Sequence, residues 1–145
     1  MRITLQRVSS AICRVDNQVT GEIGTGLLLF VGFSSTDTPD MLPIAALKCL
    51  ELRIFPDEQG KLNRSLLDIG GNVLAISQFT LYANCSRGRR PDFTQAAPPQ
   101  LAKQLYDEFV EVLKGKVPNI QTGIFAADMQ VSLVNEGPIT INLEW

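Results

Sequence analysis

The stretch that most limits the fold is "GLLLFVGF" from Gly26, an unbroken apolar run bounded by glycine on one side and by the polar loop "SSTDTPD" on the other. A short run without alternation reads as a strand buried on both faces, so it belongs in the middle of a sheet with packing above and below it. A second run of this kind, "NVLAI", follows Gly70-Gly71 and leads directly into "SQFTL". There two hydroxyls and an amide stand where a buried strand should simply continue. Ser77, Gln78, Phe79 and Thr80 are therefore the first candidate site residues. If the ladder stops here, the backbone N–H groups around Phe79 and Thr80 become free donors of the kind that form an oxyanion hole. The plainer alternative is that the Ser77 and Thr80 hydroxyls satisfy backbone groups where the chain turns.

The rest of the pattern is built around these runs. Ile3 and Leu5 alternate with polar neighbours, and "AICRV", "DNQ" and "VTGEIG" continue as a meandering antiparallel strand pair. Thr38 ahead of Pro39 is placed as a helix N-cap, with Met41, Ile44, Ala45, Leu47, Lys48 and Leu52 behind it at helical spacing. "RIFPDEQGKLN" reads as a short strand entering a turn at Asp57 to Gly60. Pro98-Pro99 opens a second helix with Leu101, Leu105, Phe109 and Val112 on one stripe, ending at Gly115. "IQTGIF", "MQVSLVN" and "ITINLEW" supply three more short strands. This order lacks regular strand–helix–strand alternation, and 145 residues with 45% apolar and 19% charged composition suit one core. The expected fold is α+β: a mostly antiparallel sheet or partial β-barrel with two helices packed on it, in a single domain over residues 1–145.

Composition removes many chemistries. The chain has no histidine, which excludes Ser-His and Cys-His nucleophilic pairs and every His-ligated metal site. Cys13, Cys49 and Cys85 are scattered without a CxxC pair and read as reduced thiols. No Walker loop, GxGxxG or ligand cluster is present, so neither metal nor cofactor is expected. "MRITLQRVSS" has no apolar signal-peptide core, and no apolar run approaches the ~20 residues of a spanning helix, so a cytoplasmic protein without a membrane partner is expected. A net charge of −2 argues against coating long nucleic acid but leaves room for a focal contact. The dense basic cluster is "RGRRPDF", with Arg87, Arg89 and Arg90 followed by Phe93; taken alone it is a solvated loop. Thr80 as a nucleophile would need a base that no motif supplies. "NEGPIT" reads as a turn at Gly137-Pro138, and an X-Pro bond is cis in only ~5–6% of cases, so the residues alone indicate trans. "GIFAADMQ" places Phe125 and Met129 four residues apart, most simply as core.

"SQFTL" and "NEGPIT", together with "RGRRPDF", "RIFPDEQGKLN" and "QTGIFAADMQVSLVN", resemble the D-aminoacyl-tRNA deacylase family over essentially the whole chain. The pair of signatures at this order and separation is far more specific than either alone. The resemblance implies a cytoplasmic homodimer that hydrolyses the ester between a D-amino acid and the 3′ end of tRNA, with glycyl-tRNA as a second substrate and without metal or cofactor. It implies a catalytic segment at Ser77 to Thr80. It also implies a cis Gly137-Pro138 peptide that enters the partner subunit's pocket beside that segment and selects chirality, so that each site is shared between two chains. The terminal adenosine is expected near Phe125 and Met129, and the tRNA near Arg87, Arg89 and Arg90.

Two readings compete. One is a non-catalytic dimeric module that binds aminoacyl groups or RNA ends, against which the intact Ser77 to Thr80 and Gly137-Pro138 segments count. The other is a Thr-nucleophile esterase or amidase acting on small molecules, which lacks its activating base.

Overall fold

In the computed structural model, which describes residues 1–145, the two apolar runs lie side by side as parallel strands. β3 (Gly26–Gly32) pairs with β6 (Asn72–Ser77), from Gly26 opposite Asn72 to Val31 opposite Ser77. Successive residues of a strand face opposite ways, and both layers are filled. Leu27, Leu29, Val31, Val73 and Ala75 enter the larger core, while Leu28, Leu74 and Ile76 enter a smaller core behind the sheet. All are at most 1% exposed, as continuous apolar runs require.

The other strands build outward from this pair. β1 (Arg2–Val15) turns at Asp16 and Asn17, both at positive φ, into β2 (Gln18–Ile23). Asp and Asn tolerate that conformation better than other non-glycine residues, and it suits a two-residue hairpin. One edge of β1 pairs antiparallel with β3 and then with β2, which follow each other like one bent strand. β8 (Gln130–Glu144) pairs antiparallel along the other edge. β7 (Ile120–Thr122) adds in parallel to β6 and lies close to β2, so the curled sheet is nearly closed. A small hairpin, β4 (Phe55–Pro56) with β5 (Leu62–Arg64), stands apart. No helix is long and apolar enough to cross a membrane.

The expected fold class holds, with additions. The two long helices, α1 (Leu42–Glu51) and α3 (Pro99–Lys114), pack together over the larger core, and a short α2 (Leu66–Ile69) joins them. Its single turn is held by a capping box: the Ser65 hydroxyl accepts from the Asp68 N–H at 3.2 Å, and the Asp68 carboxylate accepts from the Ser65 N–H at 2.8 Å. The two parallel pairings are crossovers that the sequence hides, because the β4–β5 hairpin and the loop over 78–98 interrupt the strand–helix–strand rhythm.

Three expectations are corrected. Thr38 makes no side-chain cap; Pro39–Met41 form a 3₁₀ turn and α1 begins at Leu42. The buried face of α1 is Leu42, Ala45, Ala46, Cys49 and Leu50, which leaves Ile44 63% and Leu47 38% exposed. Two stripes of similar spacing compete on this helix, and the one carrying two alanines allows the close approach to α3. The tail holds two strands rather than three, because β1 templates β8 along nearly its whole length and "EGP" becomes a bulge within it.

The chain ends meet. The buried Met1 ammonium donates to Asp37 Oδ1 at 2.8 Å and to the Trp145 carbonyl at 3.3 Å, and the Trp145 N–H returns to the Met1 carbonyl at 3.0 Å. Asp37 also accepts from the Ser34 N–H at 2.8 Å and from its hydroxyl at 2.7 Å.

Gly32 closes β3 under the following segment of the neighbouring strand. A Cβ there would stand 2.7 Å from the Gln78 carbonyl oxygen and 3.2 Å from Leu81 Cβ. Gly32→Ala is therefore expected to cost about 1–3 kcal/mol in urea unfolding, as overpacking does, and to shift the amide resonances of Gln78 to Leu81. Gly24→Ala, with nothing within 4 Å of the added carbon, is the control and should leave both unchanged.

Candidate active site

β6 stops at Ser77 because its partner runs out. The Gln78 N–H makes the last rung, 2.7 Å to the Val31 carbonyl. The chain then turns through a 3₁₀ segment, Phe79–Tyr82, with the Leu81 N–H on the Gln78 carbonyl at 3.3 Å and the Ala83 N–H on the Thr80 carbonyl at 3.0 Å. The first N–H groups of a helical turn have no acceptor inside it. In this turn those groups belong to Phe79 and Thr80, and Phe79 is 55% exposed. The Thr80 hydroxyl accepts a hydrogen bond from the Gln78 side-chain amide, so it is engaged locally by a side chain rather than by the backbone.

Ser77, Gln78 and Phe79 lie on the wall of a cleft of about 680 Å³, together with Phe125 and Met129, so the structure brings five of the candidate residues to one place. No charged side chain lines it. A volume of this size and an apolar lining with few polar groups are typical of small-ligand sites. Phe125 is held against the Tyr106 ring at 6.2 Å, and the Tyr106 hydroxyl donates to the Ala75 carbonyl at 2.9 Å. Burial pushes the Tyr106 pKa up, so this phenol serves as a fixed donor and not as a base. The segment between β7 and Met129 is shaped by Ala126 at φ 61° and by Gly123, where an added Cβ would collide with the Met129 sulfur.

The remaining candidates are not part of the cleft wall in the single chain, although Thr80 directly follows Phe79 on that wall. Thr80, Gly137, Pro138, Arg87, Arg89 and Arg90 do not line the cleft. The three arginines are exposed and form no ion pair, at the tip of a loop whose base is closed by Asn84 and Asp92. Phe93 and Thr94, from the foot of that loop, do line the cleft, and the Phe93 ring meets Phe79 edge-on at 5.0 Å.

Gly137 and Pro138 form an exposed projection of β8. Opposite Arg7 alone stand four residues, Glu136 to Ile139, between the pairs Val8–Asn135 and Gln6–Thr140. The Gly137-Pro138 peptide is cis, as the resemblance implied and contrary to the reading of the residues alone, and Gly137 has φ 118°. Asn135 spans the bulge, its Oδ1 accepting from the Ile139 N–H at 3.0 Å and its Nδ2 donating to Thr140 Oγ1 at 2.9 Å.

Arg7, which braces the bulge carrying Gly137 and Pro138, is a residue that sequence reasoning did not single out. It is 7% exposed, and it donates from Nε to the Glu136 carbonyl at 3.2 Å and from Nη1 to the Ile54 carbonyl at 2.5 Å. A Cβ on Gly137 would stand 2.8 Å from its Nη2. The available signal was alternation: Ile3 and Leu5 point inward, and the next inward position carries a cation.

No cluster of three or more His, Cys, Asp or Glu side chains is close enough to hold a metal. Cys13 and Cys49 are buried, the latter with its thiol pushed up to about 12 by burial, and Cys85 is exposed.

The family described as D-Tyr-tRNA(Tyr) deacylase matches residues 4–144. D-aminoacyl-tRNA deacylase of Chlorobaculum tepidum is 52% identical, covering 99% of this chain and 97% of that one, and the same enzyme of Deinococcus deserti is 51% identical with 99% of each covered. Among solved structures, a c-Myc DNA unwinding element binding protein superposes with a TM-score of 0.95 at 38% identity, over 100% of this chain and 99% of that one. A probable eukaryotic D-amino acid tRNA deacylase, 20% identical over 98% and 97% of the two chains, shares the fold with a TM-score of 0.83. With a strand end that offers backbone donors to an uncharged cleft, and with whole-length relatives at half identity, this chain belongs to the D-Tyr-tRNA(Tyr) deacylase family, hydrolases of D-aminoacyl-tRNA esters.

Proposed function

We propose that the chain acts as a cytoplasmic homodimer in which each cleft is completed by the partner subunit's Gly137 and Pro138, and that it frees tRNA of D-amino acids and of glycine while refusing L-aminoacyl esters. The observation that carries this reading is the Phe79–Thr80 turn: two N–H groups without intrahelical acceptors beside a cleft with no ionisable side chain. Such donors polarise an ester carbonyl and stabilise the oxyanion of the tetrahedral intermediate. Water then attacks the carbonyl carbon, and the ribose oxygen leaves with a proton. The base missing from the protein is not needed, since the vicinal ribose hydroxyl of the substrate lies within reach of both the ester and the water. Proximity of this kind can supply a large part of the barrier reduction. No metal or cofactor enters the scheme.

Phe125 and Met129 suit the terminal adenine, which gains ~1–3 kcal/mol per stacked base. The unpaired Arg87, Arg89 and Arg90 suit the phosphates of the 3′ end, a footprint small enough for a protein of net charge −2. The shared site is supported by the exposure of Gly137 and Pro138 and by their absence from their own chain's cleft. Their main-chain atoms would occupy the Cα hydrogen side of a D-aminoacyl group, where the side chain of an L-residue would fall. Glycine has no side chain to reject.

The direct test is deacylation of D-tyrosyl-, L-tyrosyl- and glycyl-tRNA by the purified protein, with hydrolysis expected for the first and third only. Hydrolysis of none above background would leave the binding module in its place. Thr80→Ala should slow the reaction only a few-fold, roughly the loss of one net hydrogen bond, because the backbone donors survive. A substrate whose vicinal ribose hydroxyl is replaced by hydrogen should react at least about a hundredfold more slowly. A covalent acyl group trapped on Thr80 would refute this assignment. Mixing a variant deleted at Gly137-Pro138 with one disrupted at Ser77 to Thr80 should restore part of the activity, since a hybrid dimer regains one intact site. Full activity of a monomer in sedimentation at assay concentration would exclude the shared site.

A further inference from the structure

We propose that Phe93 is a positioning residue for this reaction, linking the arginine loop at Arg87 to Arg90 to the ester-polarising turn at Phe79; the proposal rests on the hydrolase reading above. Phe79 is exposed over more than half its surface, yet its N–H must be held still to act as a donor. The aromatic side chain that meets its ring is Phe93, edge-on at 5.0 Å with an interplanar angle of 65°.

The intervening chain is closed at its base. The Asn84 N–H donates to the Asp92 carbonyl at 2.8 Å and the Asp92 N–H to the Asn84 carbonyl at 3.0 Å. Asn84 Oδ1 accepts from the Ser86 N–H at 3.0 Å, and Asp92 Oδ1 accepts from the Thr94 N–H at 2.7 Å. Beyond Phe93 the chain is tied down again, by the Ala96 N–H on the Phe93 carbonyl at 3.0 Å and the Ala97 N–H on the Phe33 carbonyl at 2.9 Å. Phe93 thus sits between a fixed segment and a loop whose tip carries three exposed guanidinium groups without ion pairs. Guanidinium forks match phosphate oxygens. Phosphodiester groups bound at the tip order the loop, the loop sets Phe93, and the ring of Phe93 sets the main chain of Phe79. Donor geometry of this kind is sensitive to displacements of about 1 Å. The rival role for Phe93, as a plain wall of the cleft, would affect substrate binding and not turnover.

The experiment compares D-tyrosyl-tRNA with D-tyrosyl-adenosine, which lacks phosphates, using Phe93→Ala, Phe93→Leu, Phe93→Tyr and an Arg87, Arg89, Arg90→Ala triple variant. Phe93→Ala and Phe93→Leu are expected to lower kcat about tenfold on the tRNA and by a smaller factor on the adenosine ester, where no phosphate orders the loop, with KM changed less than about twofold, and Phe93→Tyr to restore kcat. The triple variant should lower kcat/KM about tenfold on the tRNA alone, and this loss should shrink when Phe93 is already alanine. A rise in KM with kcat unchanged, equal rates for the Leu and Tyr variants, or fully additive losses would overturn the proposal. Should Phe93→Ala fail to fold, the Leu and Tyr pair decides, since both fill the space and only Tyr keeps an aromatic ring against Phe79. A wild-type protein inactive on every aminoacyl-tRNA overturns the hydrolase reading and this inference together, whereas an active wild type indifferent to Phe93 overturns this inference alone.

Discussion

The hydrogen bond from the Gln78 N–H to the Val31 carbonyl is the last rung between β3 and β6, and the features of the cleft follow from its being last. Up to that rung Leu27, Leu28, Leu29, Val31 and Val73 to Ile76 are all buried, in one core or the other. One residue later, Gly32 lets the Gln78 carbonyl pass close above it, the chain coils into a 3₁₀ turn, and two N–H groups lose their ladder partners. Sealed in the interior, each would cost about 1–3 kcal/mol as an unsatisfied donor. An open cleft avoids that cost, because donors that solvent can reach are not left unsatisfied. The rigidity of the strand and the availability of the donors therefore have one origin.

A comparable economy governs the projection on β8. A buried guanidinium is tolerated only when its donors are satisfied, and Arg7 meets that demand with carbonyls from two places, Ile54 ahead of β4 and Glu136 in the bulge. The Glu136 carboxylate stands 3.9 Å away, half exposed, and contributes little beyond this. The bulge is thus referenced to the main core through β1 and through the segment after α1, and Asn135 fixes its width. Proline and glycine at the tip need no contacts of their own to be held in place.

The strands buried on both faces were legible in the sequence because continuous apolar runs have few other solutions, and the end of β6 was legible because polar residues interrupt such a run at Ser77. The helix spacing on α1 was legible but its rotation was not: Ile44 and Leu47 are as apolar as the residues that were buried, and only the approach of α3 decides between the stripes. The parallel pairings β3–β6 and β6–β7 depend on which elements neighbour each other after long excursions, information that local periodicity does not carry. In the site, Ser77, Gln78 and Phe79 followed from the strand end, whereas the meeting of Phe125 and Met129 with them was implied only by family resemblance. Arg7 was overlooked for another reason: alternation placed it inward, but a charged residue is ordinarily assigned to the wet face, and its burial depends on carbonyls 47 and 129 residues away.

The meeting of Met1 and Trp145 has a mechanical side. The antiparallel ladder between β1 and β8 begins at the two chain ends, with Arg2 opposite Glu144, and runs inward through Ile3–Leu143, Thr4–Asn142 and Leu5–Ile141 to Gln6–Thr140. A force separating the ends would load these pairs one after another, as in a zip, instead of shearing them all at once. The next residue to feel the strain would be Arg7, and with it the projecting loop at Gly137. The chain ends and the part that reaches outward are thus joined by one continuous ladder.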